Sequence, residues 1–90
     1  RPGDKELLDG GIAVQTEQVL NNLEAILIAA GSSFANLVKT TVFLQNLGDF
    51  AAMNEVYSRR IGDTPPARST VEVAKLPSGA LIEIEAVATV

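Results

Sequence analysis

Three consecutive segments between Val38 and Lys75 constrain this chain more than any other feature: a strand-like run, a helical run and a second strand-like run. "VKTTVFL", Val38 to Leu44, is rich in β-branched side chains and alternates. Val38, Thr40, Val42 and Leu44 fall on one face, Lys39, Thr41 and Phe43 on the other. "NLGD" then turns the chain, and Asp49 is placed to cap a helix whose buried stripe is Phe50, Met53, Tyr57 and Ile61. Gly62 and the prolines end that helix, and the prolines impose extended backbone before Ala67. Ala67 to Lys75 reads as a strand again. Strand, helix and strand in this order make a βαβ unit, which predicts two parallel strands joined by a right-handed crossover.

Upstream, Val19, Leu20, Leu23, Ile26, Leu27 and Ala30 recur at helical spacing with Gln18, Asn21, Asn22 and Glu24 between them, so a first helix is expected. Gly31 follows the last periodic residue, where a left-handed glycine stops a helix. Downstream, Leu81 to Val90 reads as a third strand, joined to the second by "LPSG", a connection short enough to set the two antiparallel. Ile82, Ile84, Ala86, Ala88 and Val90 should lie under the helices, with Leu81, Glu83, Glu85, Val87 and Thr89 on the opposite face. The expected fold class is α+β, a mixed sheet with two helices on one face. Arg68, Thr70 and Glu72 alternate with Ser69, Val71 and Val73 along the second strand. The face away from the helices thus mixes charges with Phe43, Leu81 and Val87. It is either solvated or closed against another subunit.

Ninety residues, 47% of them hydrophobic, suit one small globular domain. A core this small gains stability by association with copies of itself, so an oligomer is expected. The net charge of −4 and the dispersal of the basic residues, only Arg59 and Arg60 being adjacent, disfavour a nucleic-acid partner. No membrane span or signal peptide is legible. With no cysteine and no histidine, thiolate nucleophiles, imidazole bases, disulfides and the common soft metal sites are all excluded. Chemistry is left to arginine, lysine, carboxylates, hydroxyls and one tyrosine.

Five blocks, "QTEQVLNNL", "LVKTTVFL", "DFAAMNEVY", "PPARSTVEVAKLP" and "IEIEAVA", stand in an order and spacing that resemble the reactive-intermediate deaminases, the RidA or YjgF family. The resemblance covers essentially the whole chain, residues 1–90. It implies a chorismate-mutase-like fold in which three subunits pack their sheets into a central barrel with the helices outside. It also implies hydrolysis of enamines and imines such as 2-aminoacrylate, 2-iminopropanoate and 2-iminobutanoate to 2-oxo acids and ammonia, in the cytosol or mitochondrial matrix. It calls for no cofactor or metal.

Carried over by position, Arg68 would grip the substrate carboxylate, Glu83 would attend the water as the catalytic carboxylate, and Asn54 would line the cleft. Thr70 stands where many members carry cysteine, so only its backbone N–H is carried over as a substrate contact. Roughly forty residues that open the family's domain have no counterpart here, among them a tyrosine and a serine of the same cleft. Asp4 to Gly11 would then be the tail of the loop entering the first helix. Other readings from the same family are RNA cleavage with inhibition of translation, and a non-catalytic sensor of small acids.

Arg68 and Glu83 stand near the starts of successive antiparallel strands, which places them roughly 20 Å apart in one chain. A site using both would draw Arg68 from one subunit and Glu83 from its neighbour. The prolines would project Arg68 onto the sheet face that meets that neighbour.

Overall fold

The computed structural model describes residues 11–90; the expected loop tail from Asp4 lies, apart from Gly11, outside them. The elements run α1 (Ile12–Ala29), β1 (Leu37–Leu44), α2 (Phe50–Ile61), β2 (Ala67–Glu72) and β3 (Ile82–Ala88), with short 3-10 turns at Phe34–Asn36, Leu47–Asp49 and Pro77–Gly79. Helix α1 ends as its glycine predicts. Gly31 sits at φ +83°, its N–H bonds the Ile28 carbonyl, and the Ser32 N–H bonds the Leu27 carbonyl at 2.7 Å, which is a Schellman closure.

The sheet order is β2-β1-β3, with β1 and β2 parallel and β1 and β3 antiparallel. The parallel pairing confirms the βαβ reading. The last two strands do run in opposite directions, but they are not neighbours as their short connection suggests, because β1 lies between them. The connecting segment is held across the end of β1 by Gln45, whose amide donates to the Ala74 carbonyl at 2.8 Å and accepts from the Leu76 N–H at 2.9 Å. β1 is the central strand because its alternating Thr40, Val42 and Leu44 are the side chains most completely buried in the sheet.

One core lies between this face and both helices: Leu20 from α1, Val42 and Leu44 from β1, Met53, Val56, Tyr57 and Ile61 from α2, and Ile82 from β3. Burying a large apolar side chain contributes about 1.5–3 kcal/mol, so this cluster dominates the favourable side of folding. The alternation of β3 is as expected within the strand, with Ile82 and Ile84 toward the core and Glu83 and Glu85 exposed, but Val90, expected under the helices, lies past the strand's end and is 90% exposed.

Four local expectations are corrected. The buried stripe of α1 runs through Thr16, Leu20 and Leu27, while Ile26 is 66% exposed and Ala30 is exposed too. Polar groups take the remaining buried positions because they are satisfied: Thr16 Oγ1 donates to the Ile12 carbonyl at 2.7 Å and Gln15 Oε1 accepts from the Leu81 N–H at 2.8 Å. Val38 is 52% exposed, because a bulge between Leu37 and Lys39 adds a residue opposite β3 and Leu37 packs on the core instead. Asp49 makes no side-chain cap; Asn46 caps the preceding turn, accepting from the Gly48 N–H at 2.7 Å. Strand β2 ends at Glu72, short of Lys75, and β3 spans only Ile82–Ala88.

Candidate functional site

The parallel pairing of β1 and β2 puts Arg68 level with Thr40, whose side chain points into the core. Arg68 therefore points to the helix side of the sheet, and its half-buried side chain lies against α2. This corrects the expectation that it projects onto the open face. The reason lies in α2, where Phe50, Asn54 and Tyr57 recur at spacings of four and three and form one stripe facing β2. Arg68 Nη1 donates to Asn54 Oδ1 at 2.5 Å. Its guanidinium carbon lies 4.8 Å from the centre of the Tyr57 ring and 5.4 Å from that of Phe50, both within cation–π range. Below, the Tyr57 hydroxyl shares a buried 2.6 Å hydrogen bond with Thr40 Oγ1.

Beside these groups a cleft of about 380 Å³ opens, walled by Asn54, Tyr57, Ile61, Pro65, Pro66 and Arg68. Among the described residues, no carboxylate lies within ion-pair distance of Arg68. The ion pairs run instead from Arg59 and Arg60 to Glu17 at 2.8 and 2.6 Å, and from Arg60 to Glu24 at 3.5 Å. Hydrogen bonds from Arg60 and then Arg59 hold the Glu17 carboxyl below the usual carboxylate range. Glu72, a potential partner for Arg68 on the same strand, accepts instead from the Leu47 N–H at 2.8 Å. A guanidinium has five N–H donors, so Arg68 keeps donors to offer after satisfying Asn54. A partly apolar wall, a fork held by Asn54 and the lack of a counter-charge among the described residues make a place for a small organic anion.

Thr70 follows two residues along β2 on the same side, with its Oγ1 buried and without a hydrogen-bond partner among the described residues. Glu83 stands apart. It is exposed on the open face and pairs in register with Phe43, as does Val71 on the other side of β1. Arg68 is three residues from Val71 and two strands from Glu83, so the two backbones are roughly 14 Å apart. This is shorter than the 20 Å expected, since the strands flank β1 instead of forming a hairpin. The side chains also leave opposite faces, so one chain's Arg68 and Glu83 do not meet on one small ligand.

Two other grooves are less convergent. One of about 510 Å³ lies on the open sheet face at Lys39, Thr41, Glu85 and Val87, and one of about 200 Å³ runs between α1 and β3 past Leu23, Ile26 and Glu83. Among the described residues, no group of three or more Cys, His, Asp or Glu side chains is placed to hold a metal. None of their helices is long and apolar enough to cross a membrane.

Arg68 and Asn54, proposed from motif positions, are thus brought together, with Thr70 beside them and Glu83 excluded. Sequence reasoning assigned Phe50 and Tyr57 wholly to the core stripe. Tyr57 is indeed 3% exposed, but Phe50 is 37% exposed, and both rings also face the arginine. The signal available was their spacing with Asn54 along one helix face.

The whole chain, residues 1–90, matches the family model described as endoribonuclease L-PSP. It is 47% identical over 87 residues to the human 2-iminobutanoate/2-iminopropanoate deaminase, covering 97% of this chain and 64% of that protein. Among solved structures it is similar to RidA of an Antarctic Psychrobacter, at 43% identity and a TM-score of 0.86 over 91% of this chain and 66% of the other. It is likewise similar to Escherichia coli TdcF with bound serine, at 43% identity and a TM-score of 0.83 over 88% and 65%. The chain thus spans just under two thirds of the length of each of these relatives. The match along its full length, with a shared α+β fold, shows that the chain belongs to the endoribonuclease L-PSP family, the RidA or YjgF group that its sequence blocks resemble.

Proposed function

We propose that the protein hydrolyses small 2-imino acids and their enamine tautomers, such as 2-iminobutanoate, 2-iminopropanoate and 2-aminoacrylate, to 2-oxo acids and ammonia. The observation that carries this reading is the guanidinium of Arg68, held by Asn54 and two aromatic rings at the mouth of a cleft that no carboxylate lines among the described residues. A planar fork binds a carboxylate through two parallel hydrogen bonds, giving orientation as well as affinity. That would set the neighbouring C=N carbon at a fixed position. The backbone N–H of Thr70 is a second donor for the same carboxylate.

The reaction consumes one water. Its oxygen bonds to C2 as the C=N electrons move to nitrogen and one proton passes from the water to that nitrogen; the second proton then passes from the new C2 hydroxyl to the nitrogen as the C–N bond breaks, releasing ammonia and leaving a C=O. A carboxylate within reach of the water can accept the first proton and return it to the leaving nitrogen. In this proposal that group is Glu83 of a neighbouring subunit in a homotrimer, because the same chain's Glu83 lies on the far face of the sheet. The substrate is already electrophilic, so positioning and electrostatics suffice without a covalent nucleophile or a cofactor.

The deaminase named among the relatives supports the reaction class. Serine bound to TdcF supports a ligand that carries a carboxylate next to a nitrogen-bearing carbon. RNA cleavage finds less support, because the only adjacent basic pair is committed to Glu17 and phosphate binding requires free clustered cations. The compartment we propose is the cytosol or the mitochondrial matrix.

The test couples the full-length protein to threonine dehydratase and follows release of 2-oxobutanoate. Arg68→Ala removes charge-assisted hydrogen bonds worth about 1.5–3 kcal/mol, on the order of ten- to a hundredfold in kcat/KM. Arg68→Lys should recover little, since an ammonium cannot form the fork. Full activity in the alanine variant would refute the assignment, and carboxylate binding without turnover would select the sensor reading.

A further inference from the structure

Among the described residues, the side-chain hydrogen bond and both ring contacts of Arg68 come from a single stripe of α2. Phe50, Asn54 and Tyr57 follow one another at spacings of four and three, and the guanidinium touches all three. Phe50 keeps 37% of its surface in solvent on the first turn of the helix, where little of the core reaches it. Tyr57 is fixed from beneath. Its hydroxyl and that of Thr40 form a 2.6 Å bond at sites 3% and 1% exposed, and Thr40 is the residue in register with Arg68 on the neighbouring strand. The ring is therefore pinned to the same rung of the sheet that carries the arginine.

We propose that Phe50 and Tyr57 are positioning residues, an aromatic cradle, anchored through Thr40, that holds the Arg68 fork in its carboxylate-binding orientation before the ligand arrives. An arginine side chain has many rotamers, and one that must be ordered on binding weakens its ligand's affinity. Here the guanidinium lies over two rings, Asn54 takes one N–H, and Arg68 lines the cleft with donors to spare. The cradle contributes to ground state and transition state alike, because the substrate carboxylate is unchanged by the reaction. Its loss should raise KM and leave kcat largely intact, which is the signature of uniform binding.

This inference rests on Arg68 as the carboxylate site, so the test separates the two. Side-chain nitrogen relaxation of the Arg68 Nε–H in the full-length protein reports the order of the fork without any ligand. Titration with 2-oxobutanoate, and steady-state kinetics, report what that order does. Phe50→Leu and Tyr57→Leu should each mobilise the Arg68 Nε–H and weaken 2-oxobutanoate by roughly three- to tenfold, with KM rising in step. Tyr57→Phe keeps the ring but loses its anchor to Thr40, so it should weaken 2-oxobutanoate less than Tyr57→Leu does and still fall short of wild type.

Phe50 is exposed, so its variant keeps the fold even if Tyr57→Leu does not. Wild-type order of Arg68 in Phe50→Leu, or a fall in kcat with KM unchanged, would overturn the cradle. An ordered Arg68 in a wild type with no affinity for 2-oxobutanoate would overturn the carboxylate assignment instead.

Discussion

Removing the Tyr57 hydroxyl should destabilise the protein far more than loss of one oxygen atom suggests. Its partner, Thr40 Oγ1, lies 2.6 Å away at a site 1% exposed, so Tyr57→Phe strands a hydroxyl that water does not reach. A buried polar group left unpaired costs about 1–3 kcal/mol, against about 0.5–1.5 kcal/mol for the net worth of an ordinary hydrogen bond. We expect about 2 kcal/mol, which moves the urea midpoint by about 1 M at ordinary m-values. Thr40→Val strands the phenol in turn and should cost a similar amount. The double variant strands neither group, so its cost should fall short of the sum of the two by about 1–2 kcal/mol. The assay is urea unfolding of all four proteins at one fixed concentration, since self-association adds to apparent stability. Additive effects of the two substitutions would refute the reasoning, because they would mean that the hydroxyls do not depend on each other.

Two further outcomes follow from the local structure. Arg60 and Arg59 lower the Glu17 pKa in the folded state, so this contribution to stability is present above the unfolded value near 4.5 and is lost as the pH falls through the folded one. Glu17→Gln should therefore flatten the acid limb of a stability–pH profile by lowering stability at neutral pH while changing little in strong acid, where Glu17 is protonated in either state; an unchanged acid limb would contradict the pairing. Gly31 closes α1 at φ +83° with open space where a Cβ would sit, so Gly31→Ala should cost about 1–2 kcal/mol through backbone strain alone, checked by urea unfolding.

How much was legible in the sequence depended on whether one periodicity dominated a segment. Along β1, Thr40, Val42 and Leu44 alternate with Lys39, Thr41 and Phe43, so the core face was readable apart from the bulge at Val38, which no pattern marks. The parallel partnership of β1 and β2 followed from the intervening helix. The sheet order did not, because a short connection sets the direction of the next strand and leaves its neighbour open. It took the hydrogen bonds of Gln45 to carry the chain across the end of β1.

Strand β2 was the least legible element. Its two faces, Arg68 with Thr70 and Ser69 with Val71, are both mixed, and hydrophobicity favours Val71 as the core residue, yet Val71 is 41% exposed. The inward face is set by α2, which supplies aromatic surface to a long arginine stem. Motif position found Arg68 and Asn54; only geometry showed that they touch, and that Glu83 belongs to the other side of the sheet.

In the proposed oligomer, one chain supplies Arg68 and a second supplies Glu83 to each working site. Subunit complementation tests this most directly. Full-length Arg68→Ala and Glu83→Gln proteins, each strongly impaired on 2-iminobutanoate alone, are unfolded, mixed in equal amounts and refolded together. In a randomly assembled ring, about a quarter of the intersubunit sites pair an intact Arg68 with an intact Glu83, so about a quarter of wild-type activity should return. Mixed oligomers with no recovered activity would contradict the claim and place both residues in a single chain's site.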